Sequence, residues 1–218
     1  MRRIAVSLLV FVFAFFVFSV SSISAKVITD ENGTVNIGKT EIINDDLFIG
    51  AQTVEIAGTV NGDVFVGSQT VKITGIINGN LHVGANTIDL SGKVKGNVYA
   101  GAQSILIKGS AIGGSLLAGG ATVNIDKDST IGGSILVGAG SLSIDSQVKR
   151  SVYAGTGSLT VGENARIGKD LYYESNTQTG ANISPGAKIA GSVYKSEVDT
   201  AKTDINVSKK IPGIASGA

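Results

Sequence analysis

The sequence predicts an all-β protein, a single-stranded parallel β-helix built from triangular coils of about 17–19 residues. Three observations carry this prediction. A unit of that length recurs about eight times, apolar residues occupy matching places in each copy, and glycine separates the apolar segments. One such coil cannot bury its apolar face alone, so stacked copies must share a continuous core.

The repeat is plainest where DVFVGSQTVKITGIING, residues 63–79, is followed by NLHVGANTIDLSGKVKG, residues 80–96. The same rhythm runs through 46–62, 97–114, 115–133, 134–150, 151–169 and 170–191, with a partial unit at 34–45 and the start of a last one at 192–194. Each unit reads as three short extended segments. In 63–79 the first carries Val64 and Val66, the second Val71 and Ile73, and the third Ile77. Alternation of apolar and polar residues is the strand period. Gly67, Gly75 and Gly79 stand between these segments, as Gly84, Gly92 and Gly96 do in the next unit. Glycine admits the φ > 0 bends that β-branched residues avoid. Three strands and three bends make one triangular coil, and each strand pairs with its copy about 4.8 Å away.

Aligning the units predicts five inward columns. The first reads Leu47, Val64, Leu81, Val98, Leu116, Ile135, Val152, Leu171 and Val193. The others begin at Ile49, Val54, Ile56 and Val60 and keep Val, Ile, Leu or Ala at each step. Extra residues fall at bends, as in DKDST at 126–130. Eight coils stack into a rod roughly 40 Å long. Outward polar residues such as Asp63, Gln69 and Lys72 vary from unit to unit and are expected to face water.

The chain divides into four regions. Residues 1–25, MRRIAVSLLVFVFAFFVFSVSSISA, have the charged start, apolar run and small-residue end of an export signal, with a cut after Ala25. The apolar run from Ile4 to Val20 is 17 residues, at the short edge of a membrane span, so the segment reads as a signal peptide or an N-terminal anchor. Residues 26–33 read as a short leader, 34–194 as the β-helix and 195–218 as a polar flexible tail. The protein is therefore expected to be exported: periplasmic, on the cell surface, or anchored to the membrane through its N-terminal segment.

Composition argues against several kinds of chemistry. A net charge of +1 offers no electrostatic footprint for nucleic acid. With 0 Cys there is no disulfide framework and no thiolate metal site, and 1 His cannot build a three-histidine zinc centre within one chain. His82 is the sole candidate for the general base of a hexapeptide-type acyltransferase, but it occupies the place of Phe65 in the unit before and Tyr99 in the unit after. Glu55, Lys72 and Asp89 share an outward column, where a polysaccharide lyase or hydrolase would cluster its carboxylates. Their signs alternate from coil to coil, which neutralises neighbours on a parallel ladder. GGATVNID at 119–126 lacks the middle glycine of a calcium-binding nonapeptide. GSAIGG and GTGSLTVG lack the strand-then-helix setting of a phosphate loop. No catalytic residue, cofactor or metal is expected, and the protein reads as a non-enzyme.

One outward column stands apart. Phe48, Phe65, His82, Tyr99, Leu117, Leu136, Tyr153, Tyr172 and Tyr194 alternate with the inward aliphatics of the first segment. A surface row this apolar either supports itself by stacking along the ladder, forms an association face, or offers sugar rings a platform. The coil ends are a second candidate. A β-helix finishes in exposed strand edges, and no amphipathic capping helix precedes Thr34 or follows Tyr194. End-to-end contact is expected near Val35, Ile37 and Val193, unless residues 27–33 or the tail fold over an end.

The recurrent phrase G-[NDS]-[VL]-x-[VA]-G-x-x-[TS]-[VIL]-x-[IL], as in GDVFVGSQTVKI and GNLHVGANTIDL, resembles the bactofilins, the polymer-forming cytoskeletal protein family of bacteria. So does the closing stretch GKDLYYESNTQTGANISPGAKIAGSV at 168–193. The likeness covers residues 34–194, about three quarters of the chain, and is nearest to the exported, signal-bearing relatives; bactofilins proper are cytoplasmic. The resemblance implies a right-handed β-helix that polymerises end to end without nucleotide and serves as a scaffold near membrane or wall. The expected function is thus a non-enzymatic, exported, polymer-forming scaffold at the cell envelope. Its partners would be other copies of itself, as a filament or oligomer, and membrane or cell-wall components. A surface glycan-binding or adhesive module that uses the aromatic column is the alternative.

Overall fold

A computed structural model describes residues 25–175, 181–196 and 209–210. The export segment before Ala25 and most of the expected tail lie outside the described residues. All regular structure among the described residues is β, and the strands stack as a parallel solenoid.

Two sheets build the rod. In the first, the long strands Ala25–Ile37, Asp46–Ile56, Val64–Ile73, Leu81–Leu90, Val98–Ile107, Leu116–Ile125, Ile135–Ile144 and Val152–Val161 lie in chain order, each parallel to the next. Leu171–Ser175 and Ala181–Ile183 together occupy the following rung, and Val193–Ser196 pairs with Leu171–Ser175. The second sheet holds nine two-residue strands, from Ile42–Ile43 at one end to Lys188–Ile189 at the other.

Nine short strands mark about nine turns, where the repeat predicted eight coils. The additional turn comes from the N-terminal side. Residues 26–33, expected as a leader, belong to the strand Ala25–Ile37 and supply the first arm of a complete rung. Lys26 pairs with Leu47, Val27 with Phe48 and Ile28 with Ile49, but the register shifts between Asp30 and Thr34. Extra residues in that corner spoil the spacing, which hides the rung from a search for periodicity. At the other end, Lys195 and Ser196 continue a strand rather than open the tail.

The first two segments of each coil are one strand. In Val64–Ile73, Val64 and Val66 are buried, and so are Val71 and Ile73. A flat strand turns residues an odd number of positions apart to opposite faces. Val66 and Val71, five apart, both point inward, so the strand bends through residues 67–70 while its ladder continues around the corner. Every member of the five predicted inward columns is buried, which makes one core along the rod.

Glycine serves this geometry differently from the expectation. Among the described residues only Gly109, at φ +63°, has a left-handed backbone, and it lies in a unit one residue longer than its predecessor. Gly75 and Gly92 are instead held small by close approach. A Cβ on Gly75 would strike the carbonyl oxygen of Gly58, and one on Gly92 that of Gly75, each in the coil before.

The small polar residue that opens each unit does not merely face water. Oδ1 of Asp46 accepts from the backbone N–H of Asp63 at 2.8 Å, and Oδ1 of Asp63 accepts from that of Asn80 at 2.7 Å. Asn80 does the same for Asn97 at 2.8 Å, and Asn97 for Ser115 at 2.8 Å. Ser115 Oγ then accepts from Ser134 N–H, and Asp170 Oδ1 from Ser192 N–H. The preceding glycine is part of the device. A Cβ on Gly79 would fall on Asp63 Oδ1, and one on Gly96 on Asn80 Oδ1. The phrase G-[NDS] therefore encodes a ladder of side-chain oxygens that satisfies corner N–H groups, as buried backbone donors require.

Candidate association face

The predicted outward column exists as a ridge. Phe48 pairs in register with Phe65, Phe65 with His82, His82 with Tyr99, Tyr99 with Leu117, Leu117 with Leu136, and Leu136 with Tyr153. Tyr172 and Tyr194 follow. The pairing adds one residue that sequence periodicity missed: Val27, in register with Phe48 and 67% exposed.

The rings stack nearly parallel. Centroids lie 4.5 Å apart for Phe48–Phe65 and Phe65–His82, and 4.6 Å for His82–Tyr99, with interplanar angles of 4°, 7° and 8°. A second stack joins Tyr153, Tyr172 and Tyr194 at 5.0 and 4.7 Å. These separations follow the spacing of neighbouring strands. Leu117 and Leu136, 43% and 50% exposed, separate the two stacks. A ring stacked on both sides offers solvent its edge rather than its face. The flat surface that a sugar ring would stack on is thus covered along most of the column.

Two columns beside the ridge complete the face. Two residues on from each ridge residue between Phe48 and Tyr153 stands a glycine: Gly50, Gly67, Gly84, Gly101, Gly119, Gly138 and Gly155 pair in register along the ladder, which continues to Glu174 and Ser196 beside Tyr172 and Tyr194. On the other side runs the Asp/Asn/Ser ladder. The seven segments 47–54, 64–71, 81–88, 98–105, 116–123, 135–142 and 152–159 contain no Asp, Glu, Lys or Arg. In these rungs the charges other than Asp46 and Asp63 of that ladder are placed elsewhere on the coil. Lys72 pairs with Glu55 at 3.1 Å on the second arm, one register step from Asp89. Both partners are well exposed, so the pair contributes little stability.

His82 lies between Phe65 and Tyr99 as one ring of the stack. Among the described residues, no group of three or more His, Cys, Asp or Glu converges to hold a metal ion. Desolvation pushes the Tyr172 phenol above its ordinary value, with Asp170, Tyr194 and Tyr153 adding to the shift. Burial alone raises that of Tyr173.

The residues expected near the end-to-end contacts lie in the terminal rungs. Val35, Ile37 and Val193 are buried and point into the core of the terminal rungs. What the ends present is backbone. The strands Ala25–Ile37 and Ile42–Ile43 are outermost at one end, and Lys188–Ile189 is outermost in its sheet at the other. Beyond Val193–Ser196, Lys209–Lys210 pairs antiparallel, with Tyr194 opposite Lys210 and Lys195 opposite Lys209.

Comparison with protein-family models, curated proteins and solved structures finds no match to this chain.

Proposed function

We propose that this chain is a non-enzymatic scaffold of the bactofilin kind, exported to the cell envelope, that joins copies of itself end to end. The observation that carries this reading is the pair of unfinished sheet edges. Among the described residues, no strand lies beyond Ala25–Ile37, Ile42–Ile43 or Lys188–Ile189. An open edge is a template for a further strand. Because all rungs run parallel, the last rung of one copy is matched to the first rung of another. Such a head-to-tail contact does not close, and it builds a filament. Lys209–Lys210 covers only two residues of the C-terminal edge, and an incoming rung displaces it. Export rests on the charged, apolar and small-residue segment at 1–25. The stacked rings favour a scaffold over a sugar-binding platform, since their faces are already taken.

Electron microscopy of the purified chain from Lys26 tests the reading: filaments are expected, and a monomer that persists at high concentration refutes it. An edge-blocking variant sharpens the test. Leu47 N–H bonds forward to the Asp63 carbonyl, and neighbouring residues on a strand point their N–H groups to alternate sides. Val27, in register with Phe48, therefore presents its N–H to the open edge. Val27→Pro removes that donor where a lone edge strand tolerates proline, and should shorten filaments without lowering the melting temperature.

A further inference from the structure

We propose that the ring column and the glycine column beside it form a side-by-side contact between two copies of this chain, with the two rods parallel.

The glycines raise the question. Glycine weakens a strand interior unless something approaches the backbone closely. Yet Gly67, Gly84, Gly101, Gly138 and Gly155 have nothing within 4 Å of where a Cβ would stand, and none has a left-handed φ. The nearest atoms to a Cβ on Gly50 and Gly119, at 3.9 and 3.8 Å, are at ordinary contact distance. Nothing within the coil asks for glycine in this column. Gly75 and Gly92, by contrast, are held small by the preceding coil. The demand on the outer column therefore comes from outside the rod.

The shape of the face selects the occupant. Phe48, Phe65 and His82 on one side and Gly50, Gly67 and Gly84 on the other line an open groove of about 440 Å³. Ridge and groove are neighbouring columns with one rung spacing, so a second rod matches them rung for rung. A twofold axis parallel to the rods lays the ridge of each copy over the glycine groove of the other. A twofold axis across the rods would set ridge against ridge, so the geometry selects the parallel pair. Self-contact also brings like residues near one another, which charges on the face would oppose. Here the seven segments are free of Asp, Glu, Lys and Arg. Seven rungs by the width from ridge to corner give about 34 by 16 Å, or roughly 1,100 Å² buried over both copies, close to what a specific interface needs. A glycan is the weaker occupant, because the ring faces are stacked and the Asp/Asn oxygens beside them are engaged in the backbone ladder.

This contact uses the flank of the rod, not its ends, so it is separable from end-to-end growth. The sequence has 0 Cys, so one introduced cysteine reports alone. The full chain carrying Gly67→Cys, Gly101→Cys or Gly138→Cys is expressed and treated with a short bis-maleimide. Parallel pairing places identical residues opposite at every height, so all three should give a covalent dimer. Asn124→Cys, on the second arm, should give none. No dimer from the three, or an equal dimer from Asn124→Cys, overturns the proposal; a dimer from Gly101→Cys alone means an antiparallel pair and also overturns it. Adding Gly84→Val and Gly119→Val to the Gly101→Cys chain should cut the dimer roughly tenfold. The melting temperature should be unchanged or higher, because the monomer has room for both side chains. A dimer that survives this change refutes the contact, as does loss of polysaccharide retention in its place, which would make the face a glycan site. The same Gly84→Val and Gly119→Val chain should still form filaments, so the failure of either idea can be read separately.

Discussion

At the scale of single residues, the polar positions separate into two kinds that look alike in a list of coil sequences. Asn80 accepts the N–H of Asn97 and sits on Asp63, whereas Gln69 is simply exposed. Asn80→Ala strands a partly buried donor and should lower stability by about 1–3 kcal/mol, while Gln69→Ala should change it little. Urea denaturation of the two variants checks the contrast. Two hydroxyls go the other way. Ser146 Oγ and Thr156 Oγ1 are buried without a hydrogen-bond partner. Thr156→Val replaces an unsatisfied hydroxyl by a methyl group of similar size and should raise stability by roughly 1 kcal/mol, read as a higher melting temperature.

At the scale of the coil, glycines in different columns answer to different neighbours. A side chain on Gly75 collides with backbone of the preceding coil, and a rigid ladder cannot step aside. Gly75→Ala should therefore destabilise by about 1–3 kcal/mol. At Gly67 the space is open and the backbone suits any residue. Gly67→Ala should stabilise the isolated rod by roughly 0.5–1 kcal/mol. Thermal melts of the two single variants distinguish the columns, and equal effects would show that the corner is not where close approach acts. The long strands owe their shape to the same corner. One strand bends between Val66 and Val71, so two arms that read as separate strands are joined, with the pairing skipping one or two residues at the corner.

At the scale of the whole rod, stability is a sum over coils and their contacts, so the ends decide where unfolding begins. The C-terminal rungs carry a pH-sensitive element. Tyr172 and Tyr173 have phenols raised above the ordinary value of 10.0, the first by desolvation and then Asp170, the second by burial. A raised acid favours its neutral form in the fold. Its stabilising share is complete below pH 10.0 and is lost as pH climbs through the raised value. Alkaline titration should therefore loosen the C-terminal rungs first. Hydrogen exchange should rise at Leu171–Ser175 and Val193–Ser196 before it rises at Val64–Ile73, and Tyr172→Phe should reduce the effect. Uniform loss of protection along the rod would contradict this.

The solenoid was legible in the amino-acid sequence because its core is a repeated pattern. A column of Val, Ile, Leu and Ala leaves a trace at fixed spacing, and every residue assigned to the five columns is buried. The ridge was legible for the same reason, since Phe65, Tyr99 and Tyr153 alternate with buried neighbours. Where spacing breaks, the trace ends. The first rung was read only in part, from residue 34; its arm before the irregular corner between Asp30 and Thr34 became visible through pairing with Asp46–Ile56. Pairing also turned Asp63 from a solvated carboxylate into a rung of a hydrogen-bonded ladder. Most of all, two glycines eight residues apart are identical letters, and only the distance to the neighbouring coil tells that Gly75 has no room and Gly67 has plenty. Sequence by itself determined which residues repeat, hence the core and the ridge, because burial selects by hydrophobicity. Tertiary structure decided which polar groups meet and which space is empty, because both depend on the chain that lies one rung away.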